Sequence, residues 1–251
     1  MTAKPGAFLE VSNLGMTFNG AEGELQALRD VSFTLGQQEF LSVLGPSGSG
    51  KSTLLRLIAG LIKPTAGKIK FGCVDSEPSI SLVFQQANLM PWRTVLQNIL
   101  LPLELKSVER NTALERANEM IHLVGLEEFA QAWPSELSGG MAQRVAIARA
   151  FIAQPDLLLL DEPFGSLDAL TRERMGGELL KIWQSRQTAV IMVTHSISEA
   201  LLLSDRVVVL SPRPGEIVKE LIVNLPRPRQ EDTRYTPQFL QLARQLRQEI
   251  K

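Results

Sequence analysis

The sequence predicts an α/β protein, a parallel sheet wrapped by helices and interrupted by a helical insert. Three observations carry that expectation. Apolar runs alternate with helical stretches in "LLLLD" (157–161), a helix from 169 to about 186, "AVIMVT" (189–194), a helix from 196 and "RVVVLS" (206–211). That is the pattern of strands joined by crossover helices. A glycine-rich loop, "GPSGSGKST" (45–53), stands between an apolar strand, "FLSVLG", and a helix, "KSTLLRLIAG". From about 88 to 154 the chain turns to helices alone.

Taken in order, "FLEVSNLGMTF" and "LRDVSFTL" alternate apolar and polar residues as half-buried strands do, with Gly20 and Gly23 marking a turn between them. In the helix after the glycine-rich loop, Leu54, Leu55, Ile58 and Ala59 fall near one face, and Gly60 is placed to end it. "KIKFG" and "ISLVF" read as further strands. "TVLQNILLPLEL" and "ERNTALERANEMIHLVGL" carry apolar residues at helical spacing, the second ending at Gly125. In the tail, Phe239, Leu242, Ala243 and Leu246 form one helical stripe, whose expected use is docking on the core. Met175-Gly176-Gly177 is an oddity inside the 169–186 helix, because each interior glycine costs ~1 kcal/mol relative to alanine. Within one domain overall, the organisation is a core from 1–87 and 155–251 and a helical insert from 88–154.

A chain of 251 residues, 44% of them hydrophobic, suits one large α/β domain or two small ones. The net charge of -1 argues against a nucleic-acid surface. Cys73 is the only cysteine, so no internal disulfide forms; its expected place is a small core or loop position. No apolar run approaches the ~18 residues that cross a bilayer, and the N-terminus lacks the apolar stretch of a secretory signal. The expectation is a cytosolic protein that reaches a membrane only by docking onto something that spans it.

Residues 45–52 fit G-x-x-x-x-G-K-[ST] at every fixed position, in the strand-to-helix context that gives the motif its meaning. Gly45, Pro46, Ser47, Gly48, Ser49 and Gly50 would wrap phosphate oxygens with backbone N–H groups. Lys51 would reach the β- and γ-phosphates, and the Ser52 hydroxyl, followed by Thr53, would ligate Mg²⁺. Asp161 ends an apolar strand at the mouth where such sheets bind ligands, placed to hold Mg²⁺ directly or through water. Glu162, next to it, can reach the attacking water, and the pair argues for hydrolysis rather than transfer. His195 follows "AVIMVT" and can reach the γ-phosphate or serve as a structural histidine. Gln85 ends "ISLVF" and can offer an oxygen to Mg²⁺ or to the water. Phe18 can stack under adenine or sit in the core as strand-end aromatics do. His122, far from these motifs, reads as structural.

"ELSGGMAQRVAIARA" (136–150) holds a second phosphate cradle, with Ser138, Gly139 and Gly140 opening another helix. Here the chain resembles the ATPase subunit of an ABC transporter. The matching residues run in that family's order: Phe18, Gly45–Thr53, Gln85, Leu137–Met141, Leu157–Glu162, Ser166-Leu167-Asp168 and His195. The resemblance implies a P-loop NTPase (ABC ATPase) core with an N-terminal antiparallel β subdomain and a helical subdomain insert. It implies that two ATPase subunits, identical or related, pair head to tail. ATP would lie between Gly45–Thr53 of one and Ser138–Gly140 of the other, with Asp168 at the seam. It makes Glu162 the general base or water polariser, Lys51 and the loop N–H groups the stabilisers of phosphoryl charge, and His195 a γ-phosphate contact. Ser52 and Gln85 become Mg²⁺ ligands, and Asp161 acts on Mg²⁺ through water. Phe18 stands for the family's more usual Tyr, Met141 for a frequent Gln, and Ala142 where related importers often carry Arg.

Trp92 and Arg93, in the insert, are expected at a groove that receives a cytoplasmic helix of transmembrane permease subunits. "SPRPG" and "LPRPR" (within 207–229) resemble the nitrate, sulfonate and taurine importer group. That group implies a membrane-peripheral ATPase serving a periplasmic or lipid-anchored substrate-binding protein. Two alternatives compete. A soluble ABC ATPase of DNA repair, chromosome maintenance or translation is opposed by the single motif set and the lack of a charge run. An exporter ATPase is opposed by the "SPRPG" segment.

Overall fold

In a computed structural model, residues 7–20, 23–72, 77–165, 167–184 and 188–250 are described. Cys73, Ser166, the two residues between Gly20 and Gly23, and 185–186 at the end of the expected 169–186 helix lie outside them.

The core is a six-stranded sheet of order β5-β6-β7-β3-β8-β9. Its strands are β3 (Phe40–Leu44), β5 (Ile80–Val83), β6 (Leu157–Asp161), β7 (Ala189–Thr194), β8 (Arg206–Leu210) and β9 (Ile217–Ile222). β3, β6 and β7 are buried along their whole length. Strands covered on both faces have no reason to alternate, so they read as continuous apolar runs. The first five strands are parallel; β9 joins antiparallel to β8 at the edge. Sequence reading found no strand at β9, because Leu221 is its only buried residue and the period-two signal collapses.

A second sheet, of order β2-β1-β4, is antiparallel and built from β1 (Ala7–Gly20), β2 (Gly23–Gly36) and β4 (Ala66–Phe71). Gly20 pairs with Gly23 where the hairpin closes. Register shifts between Val11 and Thr17 bend β1, and Leu14 and Met16 stay buried through them.

Helix α1 (Lys51–Ile58) follows the glycine-rich loop, and Gly60 just past its end takes φ +71°. Such a left-handed residue favours glycine. The insert consists of α2 (Val95–Leu105), α3 (Arg110–Leu123) and α4 (Gly139–Ile152). Thr94 and Gln97 form a capping box that starts α2, and Gly125 (φ +62°) follows the end of α3. The insert shares one continuous core with the sheet: Val95, Ile99, Ala117, Met120 and Phe151 join Phe40, Val83 and Leu160. α5 (Ala169–Gln184) and α6 (Ile197–Leu203) complete the crossovers. α7 (Pro237–Glu249) docks through Phe239 and Leu246, with Leu242 and Ala243 packed beside them.

"LPRPR" proves to be a buckle. Arg227 grips Asp205 (2.7 Å), the Leu203 carbonyl (2.8 Å) and the face of Trp183 (4.7 Å). Buried Arg229 donates to the carbonyls of Leu201, Ser204, Val223 and Leu225. Burial, with Arg227 nearby, pushes its guanidinium down to about 10.

Candidate functional site

The sheet register assembles the site. Leu44 is level with Thr194, Asp161 with Val193, and Val83 with Leu160. Gly45, Glu162, His195 and Gln85 therefore all lie just past the carboxyl ends of β3, β6, β7 and β5. This is the crevice where open α/β sheets bind ligands.

The glycine-rich loop turns tightly against its own fold. Gly50 sits at φ +88°, and a Cβ there would lie 2.6 Å from Leu28 Cδ2 and 2.8 Å from the Ala27 carbonyl oxygen. Only glycine fits. α1 has no side-chain cap, so its first N–H groups remain for an anion. Lys51 is 5% exposed, and its Nζ donates to the carbonyls of Gly45 (2.9 Å) and Pro46 (2.8 Å). Burial lowers the Lys51 pKa, opposed by the charges of Glu162 and Asp161. Ser49 Oγ is buried and makes no hydrogen bond, a spare polar group at the base of the loop. Gly45 is buried and tight too, since a Cβ there would meet Ser49 Oγ at 2.8 Å. Ser47 and Gly48 are exposed, while Pro46 and Thr53 are half-buried.

The Ser52 hydroxyl donates to Asp161 Oδ1 at 2.8 Å. Burial pushes the Asp161 carboxyl up, against the pull of the Ser52 hydrogen bond. Glu162 is held between two partners: Lys51 Nζ lies 3.9 Å from Oε1, and His195 Nδ1 lies 3.0 Å from Oε2. A carboxylate only accepts, so Nδ1 carries the proton in that bond. Glu162 adopts φ +44°, and its N–H donates to the Val193 carbonyl of β7 at 3.0 Å. A left-handed non-glycine residue costs about 1–3 kcal/mol, and Glu162 is the one of seven such residues in the described chain that stands at this crevice. No sequence signal announced that strain. Gln85 is exposed, and a Cβ on Gly165 would lie 3.7 Å from both Gln85 Nε2 and Glu162 Oε2, which places the two side chains around one spot.

Phe18 is 38% exposed on β1, two residues past Met16, whose partner in β2 is the Leu28 that packs against Gly50. It pairs with Leu25 on β2 and lies outside the buried core. His122 is exposed and pairs with Glu127 at 2.6 Å, apart from all of this.

The second cradle faces outward. Ser138 caps α4 by accepting from the Met141 N–H at 3.2 Å. Ser138 and Gly139 are exposed, and nothing lies within 4 Å of a Cβ built on Gly139. The hollow there is lined by Ser138, Gly139, Gly140, Arg144, Leu167, Asp168 and Thr171, with no residue of Gly45–Thr53 among them.

Ser52 and Asp161 offer hard oxygen donors of the kind that suits Mg²⁺. Among the described residues no cluster of three or more His, Cys, Asp or Glu is arranged for a metal.

A glycine-rich loop with a buried lysine, a Ser–Asp pair and a strained glutamate beside a histidine define a phosphate-loop ATPase. The ABC transporter family matches residues 28–165. The chain is 46% identical over 224 residues to the nitrate import ATP-binding protein NrtD of Synechocystis, covering 87% of this chain and 83% of that one. It is 47% identical over 218 residues to the taurine import ATP-binding protein TauB of Pelagibacter ubique, covering 85% and 82%. Among solved structures, the dimeric ABC transporter cassette MJ0796 superposes with a TM-score of 0.77 at 36% identity, over 87% of this chain and 100% of that one. The same cassette is known in a post-hydrolysis state bound to ADP and Pi. The chain belongs to the ABC transporter family.

Proposed function

We propose that this chain is the ATPase subunit of a bacterial ABC importer for a small anion or sulfonate. Two cassettes would pair head to tail, with ATP between Gly45–Thr53 of one and Ser138–Gly140 of the other. The observation that carries the reading is Glu162, fixed at the carboxyl end of β6 between Lys51 and His195. The outward-facing second cradle and the dimeric solved relative support the pairing. The names of NrtD and TauB support import of a nitrate-like anion or a taurine-like sulfonate, and neither soluble nor exporting ATPases. Among the described residues no helix is long and apolar enough to cross a membrane. The cargo would therefore pass through partner permease subunits, contacted at Trp92, which is 70% exposed, and at Arg93 beside it. Work at the cytoplasmic face of the membrane, fed by a substrate-binding protein outside it, follows from the same reading.

In this reading Glu162 accepts a hydrogen bond from the attacking water and polarises it toward the γ-phosphorus. Lys51 and the N–H groups at the start of α1 stabilise charge on the transferring phosphoryl group. His195 orients the Glu162 carboxylate and contacts the γ-phosphate. Phe18 stacks on the adenine. Ser52, Asp161 and Gln85 would hold Mg²⁺. When bound, that cation neutralises phosphate charge. Loss of the terminal phosphate then releases the pair, a two-state clamp biased by one phosphate group.

Glu162→Gln tests this. Hydrolysis is expected to fall roughly 10²- to 10⁴-fold, the contribution of a general base. Nucleotide binding is expected to persist, and gel filtration with ATP and Mg²⁺ should give a stable dimer. A variant that binds ATP and stays monomeric overturns the pairing.

A further inference from the structure

Between the two cradles of one chain the structure holds a connection that the proposed chemistry leaves unused. Glu199 stands in the first turn of α6, four residues past His195, with its side chain only 11% exposed. Its Oε2 accepts from Thr194 Oγ1 at 2.6 Å. Thr194 Oγ1 in turn accepts from the Ser196 N–H at 2.9 Å, and Ser196 Oγ accepts from the Glu199 N–H at 3.3 Å. The turn that carries His195 is thereby closed on itself through Glu199. The other carboxylate oxygen faces Arg172 Nε at 3.6 Å.

Arg172 opens the far half of the connection. It sits in the first turn of α5, and its Nη2 donates to the Leu167 carbonyl at 2.9 Å. Its N–H donates to the Asp168 carbonyl at 2.9 Å, and the Thr171 N–H donates to Asp168 Oδ1 at 3.0 Å. Leu167, Asp168 and Thr171 are the wall of the Ser138–Gly140 hollow. They are close enough that a Cβ on Gly140 would meet Leu167 Cδ2 at 3.2 Å and Thr171 Cγ2 at 3.4 Å. A path therefore runs from His195 through Thr194, Glu199, Arg172 and Leu167 to the hollow at Gly140, with Glu199 and Arg172 paired by charge at 3.6 Å rather than hydrogen-bonded.

The middle link is unfinished. Arg172 Nε is buried and makes no hydrogen bond, and Glu199 Oε1 lies just beyond bonding distance. A buried donor without a partner gains when the gap closes. Burial raises the Glu199 carboxyl pKa, opposed by the Thr194 bond and by the charges of Arg172 and His195.

We infer that Arg172 and Glu199 are positioning residues that tie the His195 turn to the Leu167–Asp168 wall, so that engagement of phosphate at a chain's first cradle sets the posture of its second. The inference rests on the head-to-tail reading, in which those two cradles serve different ATP molecules. The pair then carries coupling between the two sites of the dimer.

The test is ATP hydrolysis by the full chain as a function of ATP concentration, in the wild type, Glu199→Gln, Arg172→Gln and the double variant. Gln at 199 keeps an oxygen for Thr194 and loses the charge toward Arg172. The wild type is expected to be cooperative, with a Hill coefficient approaching about 2, the number of sites. Each single variant should bring it toward about 1 and lower kcat roughly 10-fold. ADP affinity of the first cradle, by calorimetry, should stay within about twofold, since neither side chain borders it. The double variant should be no worse than either single one, as for residues acting through one contact. Arg172→Lys, which keeps the charge, should restore part of the cooperativity, and serves as the probe should Arg172→Gln fail to fold. A pair that only stabilises the fold would shift Tm and leave the Hill coefficient intact. That result, effects that add in the double variant, or a wild type with a Hill coefficient of 1 overturns the inference. If Glu162→Gln dimerises with ATP while Glu199→Gln keeps wild-type cooperativity, the positioning role fails alone. If Glu162→Gln stays monomeric, the pairing itself has failed.

Discussion

Two helices of this chain start at a glycine, α1 just after Gly50 and α4 on Gly139, and they are built for opposite purposes. α1 starts inside the fold. Its loop is pressed against Ala27 and Leu28, its lysine is buried, its N–H groups have no side-chain cap, and an acid pair waits at the adjoining strand end. α4 starts at the surface. Its serine is spent capping its own helix, and a side chain added to Gly139 would touch nothing. In the proposed pairing the first cradle lies within one chain and its glycines are demanded by that chain, while the second would be half a site, its leading glycine answering no demand of its own fold. Alanine would fit at Gly139 and favour the helix, so in the proposed pairing the room there is left for the partner's nucleotide.

Alanine substitutions separate the two kinds of glycine, and Gly50→Ala should have the largest effect. It combines a left-handed backbone with contacts at 2.6 and 2.8 Å, one of them to a backbone oxygen that cannot swing away. Overpacking and the left-handed penalty together cost about 2–5 kcal/mol. Thermal unfolding should show the loss, and nucleotide binding should vanish in whatever fraction folds. A variant with native Tm and affinity would mean that this loop is not the rigid cradle its contacts describe.

Lys51→Ala sharpens the same side of the comparison through charge. Hydrogen bonds to charged groups contribute roughly 1.5–3 kcal/mol, so ATP affinity should fall about 10- to 100-fold while the fold persists. Calorimetry reads it directly, and unchanged affinity removes Lys51 from the phosphates.

Gly139→Ala is the counterpart on α4. Its Tm should stay level or rise, and ADP affinity of the isolated chain should not change. ATP-driven pairing in the Glu162→Gln background should weaken by roughly 1–2 kcal/mol, about tenfold, as a methyl meets the partner's nucleotide. Analytical ultracentrifugation across protein concentration measures the shift. If Gly139→Ala pairs as tightly as its parent, the second cradle is an ordinary helix cap.

The contrast also explains what could be read from the sequence. "GPSGSGKST" and "LLLLDEP" were legible because their constraints are local: a loop that needs glycine, and a strand buried on both faces. The convergence of Gly45, Glu162, His195 and Gln85 was legible only as a consequence of strand order, which the βαβ alternation implies and the register fixes. β9 was not legible, since an edge strand with one buried residue has no period to detect. The left-handed Glu162 and the Arg172–Glu199 contact were not legible either. The first depends on a hydrogen bond to β7, and the second joins residues 27 positions apart across two helices. "LPRPR" was read as a family marker, and its physical content, Arg229 satisfying four carbonyls, needed the fold.

The smallest expected effect tests whether the contrast between glycines is sound. Gly176-Gly177 lies inside the unbroken α5 and belongs to neither cradle. A Cβ on Gly177 meets nothing within 4 Å, and on Gly176 only Leu203 Cδ2 at 3.6 Å, an ordinary contact. Neither backbone is left-handed, and both glycines border a hollow shared with Leu180, Leu203 and Pro228. No loop demands glycine here, so propensity alone should decide. Gly177→Ala is expected to stabilise the chain by about 1 kcal/mol, a rise in Tm of roughly 2–4 °C. ATP-driven pairing and hydrolysis should match the wild type. Gly139→Ala and Gly177→Ala are alike in their own chain: both sit on helices, both in open space. They should differ only in what approaches from outside. If Gly177→Ala weakened pairing as Gly139→Ala does, open space around a glycine would cease to identify the cradle, and this face of α5 would have to be counted as part of the seam.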